Sequence, residues 1–162
     1  MSDSKVQDVQ IWLNNTYSNN PNWVRVDTDG RTGFYTVKAL IRALQIELGT
    51  EADGNFGNGT KNLFNTRFPD GLNKNTIVND QSTKNIIAII NGGFWCRGIE
   101  GEWNDRHIFG DYTEAGVILL KSQLGVSQPT GDIRANEIRA ILTTDSYELV
   151  KDGDSKTTEI QQ

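Results

Sequence analysis

An eight-residue device occurs twice within 32 residues: DGRTGFYT starts at Asp29 and DGNFGNGT at Asp53, both fitting Asp-Gly-x-x-Gly-x-x-Thr. A larger repeat contains it. At a constant shift of 77 residues, Asn14 falls on Asn91, Gly33 on Gly110, Tyr35 on Tyr112, Thr36 on Thr113, Ile41 on Ile118 and Gly54 on Gly131. Apolar classes keep the same register: Val9 with Ile86, Leu13 with Ile90, Leu40 with Val117, Phe56 with Ile133, Phe64 with Ile141. A chain built from one short unit laid down twice is restricted to folds in which that unit packs on itself. The boundaries read as 1–68 for the first unit, 69–82 for an Asn/Asp/Gly-rich linker, and 83–150 for the second, diverged unit. Residues 151–162 are a tail or the start of a third copy, since Val6-Gln7 moved by two such shifts lands on Ile160-Gln161.

The unit reads as helical. Apolar residues at Val37, Leu40, Ile41, Leu44 and Leu48 form one helical face, with Lys38, Arg42, Gln45 and Glu47 on the other and Gly49 as the stop. Val6, Val9 and Leu13 stripe a shorter preceding helix. Their counterparts Ile86, Ile87, Ile89 and Ile90 have strand propensity, but the alignment assigns them to a helix. A third helix carries Leu63 and Phe64 in one copy and Ile138, Ile141 and Leu142 in the other. The expected fold is all-α, two tandem three-helix bundles.

Each Asp-Gly-x-x-Gly-x-x-Thr then stands just before a helix. Its first Gly suits a tight turn with positive φ, and its second, such as Gly33, is expected to need the same freedom. Asp is expected to accept N–H groups at the helix start, and Thr to bond back to the loop. Other readings of the device fail on spacing. An EF-hand around Gly30 puts Arg25 first and Thr36 twelfth, and one around Gly54 puts Gly49 first and Thr60 twelfth, so calcium is not expected. A phosphate loop needs Gly-Lys-Ser/Thr, which neither copy has.

These motifs resemble the peptidoglycan-binding domain family. VQIWLN, DGRTGFYTVKALIRALQ and DGNFGNGTKNLF carry its pattern through the whole first unit. The second unit keeps FGDYTEAGVILLKSQLG, but Arg106-His107 replace Asp-Gly, and TGDIRANEI keeps only Gly131 of its loop. The resemblance implies three-helix modules appended to cell-wall enzymes such as amidases, muramidases, carboxypeptidases and spore or phage lysins. More narrowly, the tandem form is similar to modules that accompany glycoside-hydrolase-like domains in Gram-positive bacteria and their phages. It implies peptidoglycan as the partner, through glycan or stem peptide, with any catalytic domain elsewhere on a parent chain. It also implies an extracellular or cell-wall location.

Recognition of such a ligand needs exposed aromatic faces, and guanidinium forks for stem-peptide carboxylates. The loops between the first and second helices of each unit supply candidates. The first offers Tyr17, Trp23, Arg25, Arg31 and Tyr35; the second offers Trp95, Arg97, Trp103, Asn104, Arg106 and Tyr112. Trp23 and Trp103 have core capping as the alternative, and for Tyr35 and Tyr112 core packing is the first expectation. Trp12 reads as packing, His107 as a surface loop residue and Cys96, the single cysteine, as a buried or half-buried thiol.

Composition narrows the partners. A net charge of −5 disfavours nucleic acid and anionic membranes. Neither a signal-peptide apolar region nor a membrane-length apolar run is present in the sequence. With one His and one Cys, no metal site or other cofactor is expected, and catalysis is not. A spacer or protein-interaction repeat without a glycan ligand is the second reading. The third is a small lysozyme-like hydrolase using two carboxylates from Glu100, Glu102, Asp105 and Asp111.

Overall fold

The computed structural model describes residues 4–99 and 105–142. Trp103, Asn104, Glu100, Glu102 and the supposed third-copy start lie outside them. Among the described residues there are six helices and no strand: α1 (Ser4–Tyr17), α2 (Phe34–Leu48), α3 (Asn58–Arg67), α4 (Gln81–Cys96), α5 (Asp111–Gln123) and α6 (Ala135–Leu142). The all-α expectation holds, with three helices from each copy of the unit.

Helix α4 decides how the copies meet. Ile86, Ile87, Ile89 and Ile90 are all at most 1% exposed, so this helix is buried on every side in that stretch. Helical Ile costs a few tenths of a kcal/mol each against Ala. Burying each side chain contributes about 2 kcal/mol, so packing overrides the strand preference. The helix packs on α1 and α2 of the first copy and on α6 of its own. One apolar cluster runs from Val6 to Leu142 as a result. Asp80 caps α4, its carboxylate accepting the Thr83 N–H at 2.9 Å.

The segment read as a linker is docked. Leu72 is fully buried, and its N–H and C=O pair with Ile133 at 2.9 and 2.8 Å in an isolated antiparallel bridge. Gly71 makes this approach feasible. Its φ is +75°, and an added Cβ would strike the Ile133 carbonyl.

The Asp-Gly device works differently from the expectation in three respects. First, the positive φ belongs to the leading glycines, Gly30 (73°) and Gly54 (76°). Gly33 is extended at φ −151°, with open space around it, so no left-handed turn requires glycine there. Second, the aspartates do not cap helices; α2 and α3 begin at Gly33 and Gly57 without a side-chain cap. Asp29 accepts the Arg31 N–H at 3.0 Å and Asp53 the Asn55 N–H at 2.9 Å, closing turns within the loops.

Third, each loop is held by a buried glutamine from the preceding helix. Gln10, fully buried on α1, accepts the Gly30 N–H at 2.8 Å. Its amide nitrogen donates toward Asp29 Oδ1, the Arg31 carbonyl and Thr36 Oγ1 at 3.2, 3.1 and 3.0 Å. Gln45, which helical periodicity assigns to the polar face of α2, is 1% exposed. It repeats the clasp on Gly54, Asp53, Asn55 and Thr60 at 2.9, 2.9, 2.9 and 3.1 Å.

In the second copy Asn91 takes the part of Gln10. It donates to the Arg106 and Ile108 carbonyls at 2.9 and 3.3 Å and accepts from Thr113 Oγ1 at 2.7 Å. Asn14, its partner at the 77-residue shift, instead pins the Val26 backbone and Trp23 Nε1. The sequence match between the two asparagines is therefore not a match of roles. The α4 clasp sits one helical turn later than the alignment puts it.

Candidate functional site

The first copy presents a surface cleft of about 220 Å³ between the loop after α1 and the start of α2. The clasp that folds the loop also shapes the cleft. With Gln10 holding Gly30 and Arg31, the chain turns sharply, and α2 starts with Phe34 and Tyr35 pointing outward. Arg25 and Arg31 line the cleft from the loop, and Arg42 lines it from two turns into α2. None of these guanidinium groups forms an ion pair among the described residues. Asp27 and Asp29 supply the opposing charge. Asp29 is held below the usual carboxylate range, chiefly by the Arg31 N–H, so it stays ionised in neutral solution.

Tyr35 is 76% exposed and Phe34 53%, in contrast to the core packing expected for Tyr35. Their rings meet edge to face, centroids 5.5 Å apart at 75°. Lys38 lies over the Phe34 ring at 5.1 Å. Tyr112, at the corresponding place in the second copy, is likewise outside the core at 57% exposure.

The remaining sequence candidates are distributed elsewhere. Tyr17 is buried, its hydroxyl donating to Glu47 Oε2 at 2.7 Å. Burial first, then the Glu47 charge, drives its pKa far above the ordinary phenol value. Trp23 is half-buried and packs its ring on Tyr17 at 5.3 Å, while Nε1 donates to Asn14 Oδ1 at 3.2 Å. These two aromatics close the first copy's core and do not line the cleft. Trp95 is half-buried against the core, with Lys5 over its ring at 5.3 Å. Arg97 donates to the Ile141 carbonyl at 2.8 Å and to that of Ala140, fastening α4 to the end of α6. Arg106 is half-buried, and burial lowers its pKa. Of the described candidate residues, Arg25, Arg31 and Tyr35 are the ones that line the cleft. Sequence reasoning missed Phe34 and the cleft role of Arg42, since one precedes the repeat's matched Tyr and the other reads as a solvated helix face.

The carboxylates offered for hydrolysis gain no support where they are described. Asp111 pairs with Lys74, which holds its pKa down, the reverse of what a general acid requires. Cys96 is buried, as expected.

Among the described residues the six-helix tandem carries a cationic, aromatic-edged cleft on its first copy, and comparison with known proteins gives its family. A family model described as "FadG/YbfG, PGDB-like domain" matches residues 1–94. The chain belongs to this family, a peptidoglycan-binding-like group. It is 33% identical over 161 residues to "Uncharacterized protein FadG" of Bacillus subtilis (strain 168), covering 99% of this chain and 27% of that protein. It is 34% identical over 163 residues to "Uncharacterized protein YbfG" of the same strain, covering 100% of this chain and 21% of that protein. The chain thus spans about a quarter of the length of these curated relatives. No solved structure matches it. Among the described residues no helix is long and apolar enough to cross a membrane.

Proposed function

We propose that the chain is a non-catalytic peptidoglycan-binding region that holds a cell-wall hydrolase on its substrate. The observation carrying this reading is the cleft of the first copy, where arginine forks and two exposed aromatic rings converge. It lies within the 94 residues that match a peptidoglycan-binding-like family. The two units, residues 1–68 and 83–150 joined by 69–82, serve here as one body, with ligand taken by the first. Its place of work is the cell wall, and the hydrolase stands elsewhere on a longer chain.

Co-sedimentation with insoluble purified peptidoglycan tests the reading. The chain is expected in the pellet; a chain left wholly in the supernatant overturns it in favour of a spacer or protein-interaction repeat. A turbidity assay on the same walls is expected to stay flat. Clearing that Glu102→Gln abolishes would replace the binding module with a hydrolase.

A further inference from the structure

We infer that the first-copy cleft takes the carboxylate-bearing end of a peptidoglycan stem peptide, with Arg25, Arg31 and Arg42 as its anion-binding residues. The inference rests on the wall-binding reading and deepens it from wall to peptide.

Four observations carry it. The chain as a whole has a net charge of −5, so long-range attraction for an anion is absent. Within the cleft the balance is reversed, with three arginines against two aspartates. Guanidinium forks match carboxylates in a planar, two-bond geometry that neutral sugar hydroxyls do not use. Second, the aromatic pair does not form one flat platform. Phe34 and Tyr35 stand at 75° to each other, and Lys38 covers Phe34. Such rings present edges and apolar corners suited to short aliphatic side chains.

Third, the cleft volume of about 220 Å³ is below the ~300–1,000 Å³ usual for sites that enclose a drug-sized ligand. It has room for the end of a chain, while a disaccharide would lie outside it. Fourth, the second copy provides an internal control. At the 77-residue shift Arg25, Arg31 and Arg42 become Glu102, Ile108 and Leu119. Ile108 and Leu119 are exposed there, at 56% and 45%, so these two described positions present apolar side chains in place of guanidinium groups. At these three aligned positions the arginines belong to the first copy.

Isothermal titration calorimetry on the 162-residue chain tests this with three probes. They are a synthetic stem tetrapeptide with free carboxylates, the same peptide with every carboxylate amidated, and wall glycan strands freed of peptide by an amidase. The free-acid peptide is expected to bind, with affinity falling as salt rises. Amidation, or Arg25→Gln with Arg31→Gln and Arg42→Gln, is expected to weaken binding by about tenfold or more. If the triple variant fails to fold, the Arg25→Gln, Arg31→Gln pair, both exposed, replaces it. Peptide-free glycan binding as tightly as whole wall overturns the inference, as does a variant that binds the free-acid peptide like the parent.

Sedimentation with whole wall, before and after removal of phosphate-bearing wall polymers, separates the remaining outcomes. Retention that survives polymer removal, together with peptide binding, supports the inference. Retention lost on polymer removal assigns the cleft to phosphate and overturns it. Wall retention without peptide binding overturns the inference but leaves the wall-binding reading standing; no retention removes both.

Discussion

Gln10 and Gln45 each contact four groups with one amide, the oxygen accepting one N–H and the two nitrogen hydrogens shared among three acceptors. Removing such a partner leaves donors and acceptors with no substitute inside the protein. Gln45→Leu keeps the volume and loses the bonds, and is expected to cost about 2–3 kcal/mol in urea unfolding. A loss under about 0.5 kcal/mol would mean that the loop is not held by the clasp. The device's glycines separate in the same assay. Gly30→Val must place a β-branched residue at φ 73° and is expected to cost about 1–3 kcal/mol. Gly33→Val, in extended backbone with open surroundings, is expected to cost under about 1 kcal/mol, the penalty of a poor helix cap.

His107 adds a pH effect. Its ring meets Trp12 edge-on at 6.0 Å, and burial, then Arg106 and Lys84, lower its pKa. A depressed base pKa favours the neutral form in the fold. The stability it contributes is therefore complete above the unfolded value of about 6.5 and is lost as pH falls through the folded one. As the single histidine, it dominates the window from pH 7 to 5. The melting temperature is expected to fall more across that window in the parent than in His107→Gln; equal slopes would contradict the assignment.

At the scale of elements, helix identity was legible because the repeat register overrode local propensity. The isoleucines of α4 read as strand in isolation and as helix once aligned with VQDVQIWL. Helix periodicity placed Gln45 and Glu47 on the outer face of α2, and failed there because it registers polarity without counting the partners a loop brings back. Asn91 shows the limit of the repeat itself. Its identity matches Asn14, yet its bonds are those of Gln10, a difference no alignment of residue types reveals. The cleft was partly legible: Arg25, Arg31 and Tyr35 were readable as candidates. Tyr17 and Trp23 were not separable from them, because an aromatic that closes a small core and one that meets a ligand have the same composition signal.

The docked linker also belongs to this scale. Gly71→Val would force a side chain into the Ile133 carbonyl at positive φ. It is expected to release Leu72 and raise amide exchange at Leu72 and Ile133, which bond to each other. Unchanged exchange at both would show that the bridge does not depend on that glycine.

For the whole molecule, the consequence of α4 is mechanical unity. Glu47 concentrates it: its carboxylate accepts Tyr17 Oη at 2.7 Å and Asn85 Nδ2 at 2.9 Å, joining α1 and α4 to α2. Its carbonyl accepts Arg67 and Ser82 at 2.9 and 3.2 Å. Thermal unfolding is expected as one transition, coincident by far-UV circular dichroism and tryptophan fluorescence. Gln45→Leu should lower that single transition; two transitions, with only one shifted, would contradict the shared core.

A shared core with the cationic cleft on the first copy makes a spatial prediction. Two-dimensional ¹⁵N–¹H NMR of the labelled chain, titrated with soluble peptidoglycan fragments, tests it most directly. Amide shifts are predicted to cluster at Arg25, Arg31, Phe34 and Tyr35 while Ile108 and Tyr112 stay in place. Shifts centred on the second copy, or none at saturating fragment, would contradict the account.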